Sequence, residues 1–182
     1  YLSTLLNTRT AIDGRLALEI ALNILQMPSL QHLDLQVKWP NDLYSAAGKW
    51  GGILIEPLNA HQAVVGVGLN VLPLPKEGID QAVTSLTELG LTQFDRIKLT
   101  AELYLAIQQA GEWFNHESCN LAARFNHYAA FKDEAVEIEH LQGISQGIFL
   151  GIRNDGAIEI RNQNGIEHFF QGRLRRIGAL DQ

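Results

Sequence analysis

"VKWPNDLYSAAGKWGGILIEP", residues 37–57, sets Lys38 and Lys49 eleven positions apart, around a Trp-Pro pair, an acidic residue and two adjacent glycines. A simple connection between two elements needs none of these together. Pro40 has no N–H for a strand ladder and ends the strand before it. The lysines repel each other unless an anion lies between them, and Gly51 and Gly52 leave a place without side chains. This combination suits a site that holds a phosphate or carboxylate and lets a flat ligand lie against backbone.

Outward from this stretch, "LDLQVKW" (33–39) alternates, with Leu33, Leu35 and Val37 on one face, as in a half-buried strand. "GILIE" (52–56) and "HQAVVGVGLNV" (61–71) read as two further strands joined through "PLNA". In the second of these, Gly66, Gly68 and Asn70 share one face and Val65, Val67, Leu69 and Val71 the other. Glycine inside a strand weakens it and marks close approach by a ligand or by packed backbone. Asn70 tilts this choice toward a ligand, because its amide both donates and accepts, as an adenine edge or a cyclic urea requires. Asp42 either holds Lys38 in position, binds a magnesium ion, or serves only the turn after Asn41.

The remaining chain supplies a frame. "YLSTLLN" (1–7) reads as a strand already under way, so the chain is expected to be a fragment of a longer one. "DGRLALEIALNILQM" (13–27) has helical apolar spacing, and a Pro- and Gly-rich loop covers 72–80. The longest helix is expected at 94–116, capped by Asp95, with Leu99, Leu103, Ala106, Ala110 and Trp113 as its buried stripe. A second helix covers roughly 119–130. From about Asp133 short strands follow one another, with Asp155-Gly156 and Asn164-Gly165 at hairpin positions, the pattern of a small antiparallel barrel or sandwich. Two domains are expected: residues 1–131, mixed in α and β, and 132–182, a β module.

Composition bounds the function. The 182 residues are 46% hydrophobic and 19% charged, ordinary values for a globular protein, and large enough for one core with an appended module. A net charge of −6 argues against a protein that coats nucleic acid. Cys119 stands alone, which excludes an internal disulfide and suits a reducing, cytoplasmic compartment. The six histidines show no metal-ligand spacing, so no metal-ligating residue is assigned. Within these residues no apolar run reaches bilayer length and no basic-then-apolar leader is seen, so no membrane segment is expected among them. A phosphate-binding P-loop and a nucleophile elbow are also missing. The residues by themselves point to a nucleotide-dependent acyl-transfer enzyme.

"KWPND" (38–42), "GKWGGIL" (48–54) and "GVGLNV" (66–71), in this order and spacing, resemble the biotin–protein ligase family, and the segment "SQGIFLGIRNDGAIEIRNQNGIEHFFQGRLRRI" (145–177) resembles its SH3-like final domain. The resemblance implies an α+β fold: a class II synthetase-like mixed sheet with packed helices, followed by a small SH3-like β-barrel. It implies activation of biotin by ATP and Mg²⁺ to biotinyl-5′-adenylate, then transfer to a lysine of a biotin carboxyl carrier protein. By the same resemblance Lys38 stabilises the transferring phosphate; Asp42, from its place beside Lys38, is expected as a second catalytic residue. Lys49 contacts biotin and the adenylate, Gly52, Gly66 and Gly68 form the backbone floor under biotin, and Asn70 contacts adenine.

The family's Ser-Ser-Thr-type biotin loop and its G-R-G-R-x-G anion loop do not occur in these residues, and neither does its optional helix-turn-helix. The 182 residues alone are therefore expected to be inactive, and DNA binding is not supported. The arginines of "GRLRRI" (172–177) are expected at a solvated strand edge. A lipoyl ligase-like acyltransferase is one alternative; a non-catalytic fragment for carrier docking or homodimerisation is the other.

Overall fold

The computed structural model describes residues 1–75, 78 and 81–178. The expected loop at 72–80 therefore lies partly outside the described residues. Strand β1 (Leu2–Asn7) leads to helix α1 (Arg15–Leu25), which begins where the Asp13 carboxylate accepts the Arg15 N–H at 2.9 Å. Met27 is extended before Pro28, the conformation that a following proline imposes, so the helix cannot run on. A short 3₁₀ turn follows at Pro28–Leu30.

Strands β2 (Gln36–Lys38), β3 (Asp42–Ser45), β4 (Gly48–Asn59) and β5 (Gln62–Leu69) complete a five-stranded sheet in the order β1-β5-β4-β3-β2. Every neighbouring pair of strands in it is antiparallel. Among the described residues, parallel pairing is confined to two isolated bridges, Val37 with Ala129 and Lys49 with Val83. The strand expected at 33–39 is shorter because the Leu33 N–H closes a turn onto the Leu30 carbonyl, 2.9 Å. Strand β3 lies between the expected strands at 33–39 and 52–56, where the sequence pattern marks no strand. Its ladder to β4 shifts register between Leu43 and Tyr44, and this irregularity interrupts the simple alternation.

Helix α2 (Arg96–Asn115) starts at Asp95, whose side chain accepts the N–H groups of Ile97 and Lys98. It packs with α1 against one face of the sheet. Leu99, Leu103, Ala106 and Ala110 are buried as expected, but Trp113 is 38% exposed and Ile107 and Phe114 occupy the inner positions. Trp113 instead carries the Arg124 guanidinium 4.3 Å above its ring. Arg124 belongs to α3 (Leu121–Tyr128) and also pairs with Glu19, the fully buried acid of α1.

The C-terminal strands β6 (Ala135–His140), β7 (Gly143–Ile152), β8 (Ile158–Asn162), β9 (Gly165–Phe169) and β10 (Arg173–Arg176) form a second antiparallel sheet in the order β10-β6-β7-β8-β9. Both expected hairpin pairs fall at turns between its strands. This is the small β module of an α+β fold. Its core residues Val136, Ile138, Phe149, Ile160 and Leu174 join those of the first sheet in one apolar cluster. Asn126 of α3 clamps the two parts, accepting the Ile152 N–H at 2.8 Å and donating to the Ile152 carbonyl at 3.1 Å.

Candidate functional site

Strand register brings the separated motifs into one row. Lys38 lies opposite Asp42, Asp42 opposite Gly52, and Gly52 opposite Gly68, on four successive strands. At about 4.8 Å between strands, the row spans roughly 14 Å. It runs over the sheet face that the helices do not cover. Gly66 sits two residues before Gly68, opposite Ser3, and Asp42, Gly52, Gly66 and Gly68 line an open cleft of about 520 Å³ with Asn41, Lys49 and Asn70.

Asp42 is the hinge of the charges. Its Oδ2 is 3.1 Å from Lys38 Nζ and its Oδ1 is 2.6 Å from Lys49 Nζ, so one carboxylate joins both lysines. Lys38 is only 8% exposed; it is not a solvated edge lysine. Two ammonium groups this close, one of them nearly buried, need an anion, and Asp42 supplies it. Of the roles open to Asp42, the geometry fits the lysine-holding one. A carboxylate whose two oxygens already bind two cations does not fit a magnesium ligand. Among the described residues, no three His, Cys, Asp or Glu side chains converge to hold a metal ion.

The adjacent glycines serve different needs. A Cβ at Gly51 would come within 2.6 Å of the Gly68 carbonyl oxygen and 3.0 Å of a Leu43 methyl, so Gly51 is required for packing. A Cβ at Gly52 would meet the end of the Lys49 side chain at 3.4 Å and Asp42 Oδ1 at 3.8 Å. Gly52 thus lets Lys49 fold over the floor toward Asp42. At Gly66 the nearest atom would be 3.7 Å away, and at Gly68 it is the Tyr1 ring that lies above the backbone.

Asn70 does more than face the cleft. Its amide nitrogen donates to the carbonyls of Thr84 (3.2 Å) and Lys49 (3.5 Å), while its backbone bonds Trp50 and Leu86. The Lys49 N–H in turn donates to Ala82. Segment 82–86 is thereby laid beside the start of β4, and the backbone of Lys49 is fixed from both sides.

Some contributors were invisible in the sequence. Asn41 locks the kink: its side chain donates to the Ile53 carbonyl at 2.8 Å and its own carbonyl accepts the Ile53 N–H at 3.0 Å. The Trp39–Pro40 peptide bond is cis. Tyr44 lies under the Lys38 ammonium, 5.8 Å from its ring centre. Burial pushes the Tyr44 phenol up from its ordinary value, opposed by Arg176 and reinforced by Asp42. The arginines expected at a solvated edge are only partly so. Arg173, Arg175 and Arg176 line a second cleft, of about 420 Å³, together with Lys38, Tyr44 and Phe131. Arg176 pairs with Glu134 and lies 4.9 Å over the Phe131 ring. Lys38 therefore lines the second cleft and is joined to the first through Asp42, which lines it. A signal for this existed only in the arginine spacing, which does not say what a strand faces.

Residues 5–70 match the model of the biotin/lipoate A/B protein ligase family, a span that holds Lys38, Asp42, Lys49 and the three floor glycines. The chain is similar to the biotin–protein ligases. It is 30% identical, over 87% of its own length and 55% of the relative's, to the bifunctional ligase/repressor BirA of Salmonella typhimurium. A biotin–[acetyl-CoA-carboxylase] ligase of Mycobacterium tuberculosis is 36% identical over 49% of this chain and 33% of that one. The chain thus spans about half, or less, of these relatives. The fold is similar to that of a biotin protein ligase from Aquifex aeolicus in complex with biotin and ATP, with a TM-score of 0.82 and 25% identity over 96% of this chain and 77% of that one. Among the described residues, no helix is long and apolar enough to cross a membrane.

Proposed function

We propose that this chain carries the lysine-bearing wall of an ATP-dependent ligase that activates biotin as biotinyl-5′-adenylate and passes it to a lysine of a biotin carboxyl carrier protein. The observation that carries this reading is the pair Lys38 and Lys49, held by Asp42 at the edge of a glycine floor. In the first step a biotin carboxylate oxygen attacks the α-phosphorus of ATP, and the bond to the pyrophosphate oxygen breaks. Two anions must approach, so cations fixed in a partly dry site lower the barrier most. Lys38, nearly buried and held from one side, suits the charge that develops on the phosphoryl oxygens. Lys49, more open and folded over Gly52, suits the ligand carboxylate and then the adenylate. Gly52, Gly66 and Gly68 give biotin a floor of backbone. Asn70, with its amide nitrogen committed to backbone carbonyls, offers Oδ1 to a donor such as the exocyclic amine of adenine.

The leaving end of the triphosphate points, in this reading, toward the cleft lined by Arg175 and Arg176. In the second step the acceptor amine attacks the acyl carbon, AMP leaves, and the amine proton goes to solvent. Magnesium, where it accompanies the nucleotide, finds no ligand among the residues of this wall, and no step is assigned to it. The reading includes a catalytic body at 1–131, a β module at 132–182, a cytoplasmic setting and either a single copy or a homodimer.

The test is biotin-dependent exchange of pyrophosphate into ATP by the complete gene product. Lys38→Ala is expected to slow exchange by about 3 kcal/mol in the barrier, more than a hundredfold. Lys49→Ala weakens biotin binding in calorimetry instead. Exchange driven by lipoate and not by biotin would favour the lipoyl alternative. Undiminished exchange in Lys38→Ala would remove Lys38 from the phosphate.

A further inference from the structure

Strand β2 has three residues and lies at the edge of the first sheet, with β3 as its only strand partner among the described residues. So short an edge strand holds a side chain poorly by itself. Yet Lys38 is nearly buried, and its neighbours show what braces it. Outside the sheet, the Ala130 N–H donates to the Val37 carbonyl at 2.9 Å. Trp39, adjacent to Lys38 and 2% exposed, donates its indole N–H to the Gly156 carbonyl at 3.1 Å, across 117 residues of chain. Gly156 is set in the β7–β8 turn: its φ of +85° suits glycine, and a Cβ there would press on Arg15 of α1 at 3.2 Å. The turn is therefore anchored on its far side, and the indole hydrogen bond passes that anchorage to β2.

We infer that the C-terminal β module positions Lys38, and that Trp39 is the positioning residue through which it acts. The inference rests on the reading of Lys38 as the phosphate-facing lysine. Removing the indole donor leaves a buried carbonyl unpaired, and Gly156 and β2 part to let water reach it. A displacement of about 1 Å at a charged group can cost on the order of a hundredfold in rate.

The experiment uses the complete gene product with two replacements of Trp39: Trp39→Phe, and the isosteric benzothienylalanine, which keeps the core volume and lacks the N–H. The expected result is a roughly tenfold or greater fall in kcat for biotin-dependent pyrophosphate release, with the KM for biotin within about twofold. Amide exchange should quicken in β2 while β4 and β5 keep their protection. Unchanged exchange in β2 with the isosteric replacement would overturn the inference. So would a uniform loss of protection across both sheets, the sign of a merely structural role. If β2 alone loosens and neither Trp39 variant nor Lys38→Ala slows turnover, the positioning stands and the assignment of Lys38 to phosphate falls.

Discussion

On the helix-covered face of the first sheet, Val37, Leu43, Trp50, Ile53, Val65 and Val67 are buried; on the opposite face of the same strands stand Lys38, Asp42, Lys49, Gly52, Gly66 and Gly68. The two faces alternate residue by residue, and they obey opposite rules. One maximises apolar area removed from water. The other gives up side chains altogether along β4 and β5, where each interior glycine weakens a strand, and gathers three charges at its end. A face that only had to pack would have no use for that arrangement. The difference teaches that the stability of this sheet comes from one side, which leaves the other side available for a ligand.

Gly51 and Gly66, on opposite faces of the sheet, give the sharpest way to break this contrast. Gly51→Val drives a branched side chain into the Gly68 carbonyl and Leu43. It is expected to destabilise by about 3 kcal/mol or to abolish folding. Gly66→Val, on the open face, meets nothing closer than ordinary contact at its Cβ, and valine suits a strand. The expected outcome is a melting temperature near that of the parent with biotin binding lost. Should Gly66→Val unfold the protein as Gly51→Val does, both faces are packing surfaces and the contrast fails.

The charged end of the open face yields a smaller effect. Asp42→Asn keeps the shape but leaves Lys38 and Lys49 without their shared anion. Side chains exposed by 9% and 28% suffer part of the penalty of a broken buried pair. The expected loss is about 2 kcal/mol of unfolding free energy in urea titration. Inorganic pyrophosphate should restore part of it, since it offers the missing charge. A variant as stable as the parent and indifferent to pyrophosphate would mean that the lysines do not depend on Asp42.

Much of this was readable in the chain itself. The alternation in 61–71 separates Gly66 and Gly68 from Val65 and Val67, and the structure keeps that separation. Asp95 caps α2 because its local chemistry suffices. What escaped reading depends on contacts between distant residues. β3 hid behind a register shift, the short reach of β2 depends on a turn formed upstream, and Trp113 left the core for Arg124. The bond from Trp39 to Gly156 joins residues that no local pattern relates. Lys38 and Asp42 were visible as chemistry; that one carboxylate holds both lysines follows only from the register across three strands.

The smallest expected effect concerns Tyr44, which shares the open face with the charges but is half buried, its ring edge-on to Phe131 at 5.2 Å. Burial raises its phenol above the ordinary value of 10.0, Asp42 adds to the rise, and Arg176 works against it. The native phenol thus keeps its proton after an unfolded tyrosine has lost one. Above pH 10 the native state binds more protons than the unfolded state, so this contribution to stability is complete below that pH and declines as pH rises toward the folded-state value. Tyr44→Phe has no such proton to hold. Urea titrations of parent and variant at intervals from pH 8 to about pH 11 isolate the difference, because other groups titrate in both proteins. The parent is expected to lose stability more steeply than the variant on the alkaline side, with a constant offset below it from the ring contacts with Phe131 and Lys38. Parallel curves throughout would mean that Tyr44 is as accessible to water as an unfolded tyrosine, and that this end of the face does not shield its phenol.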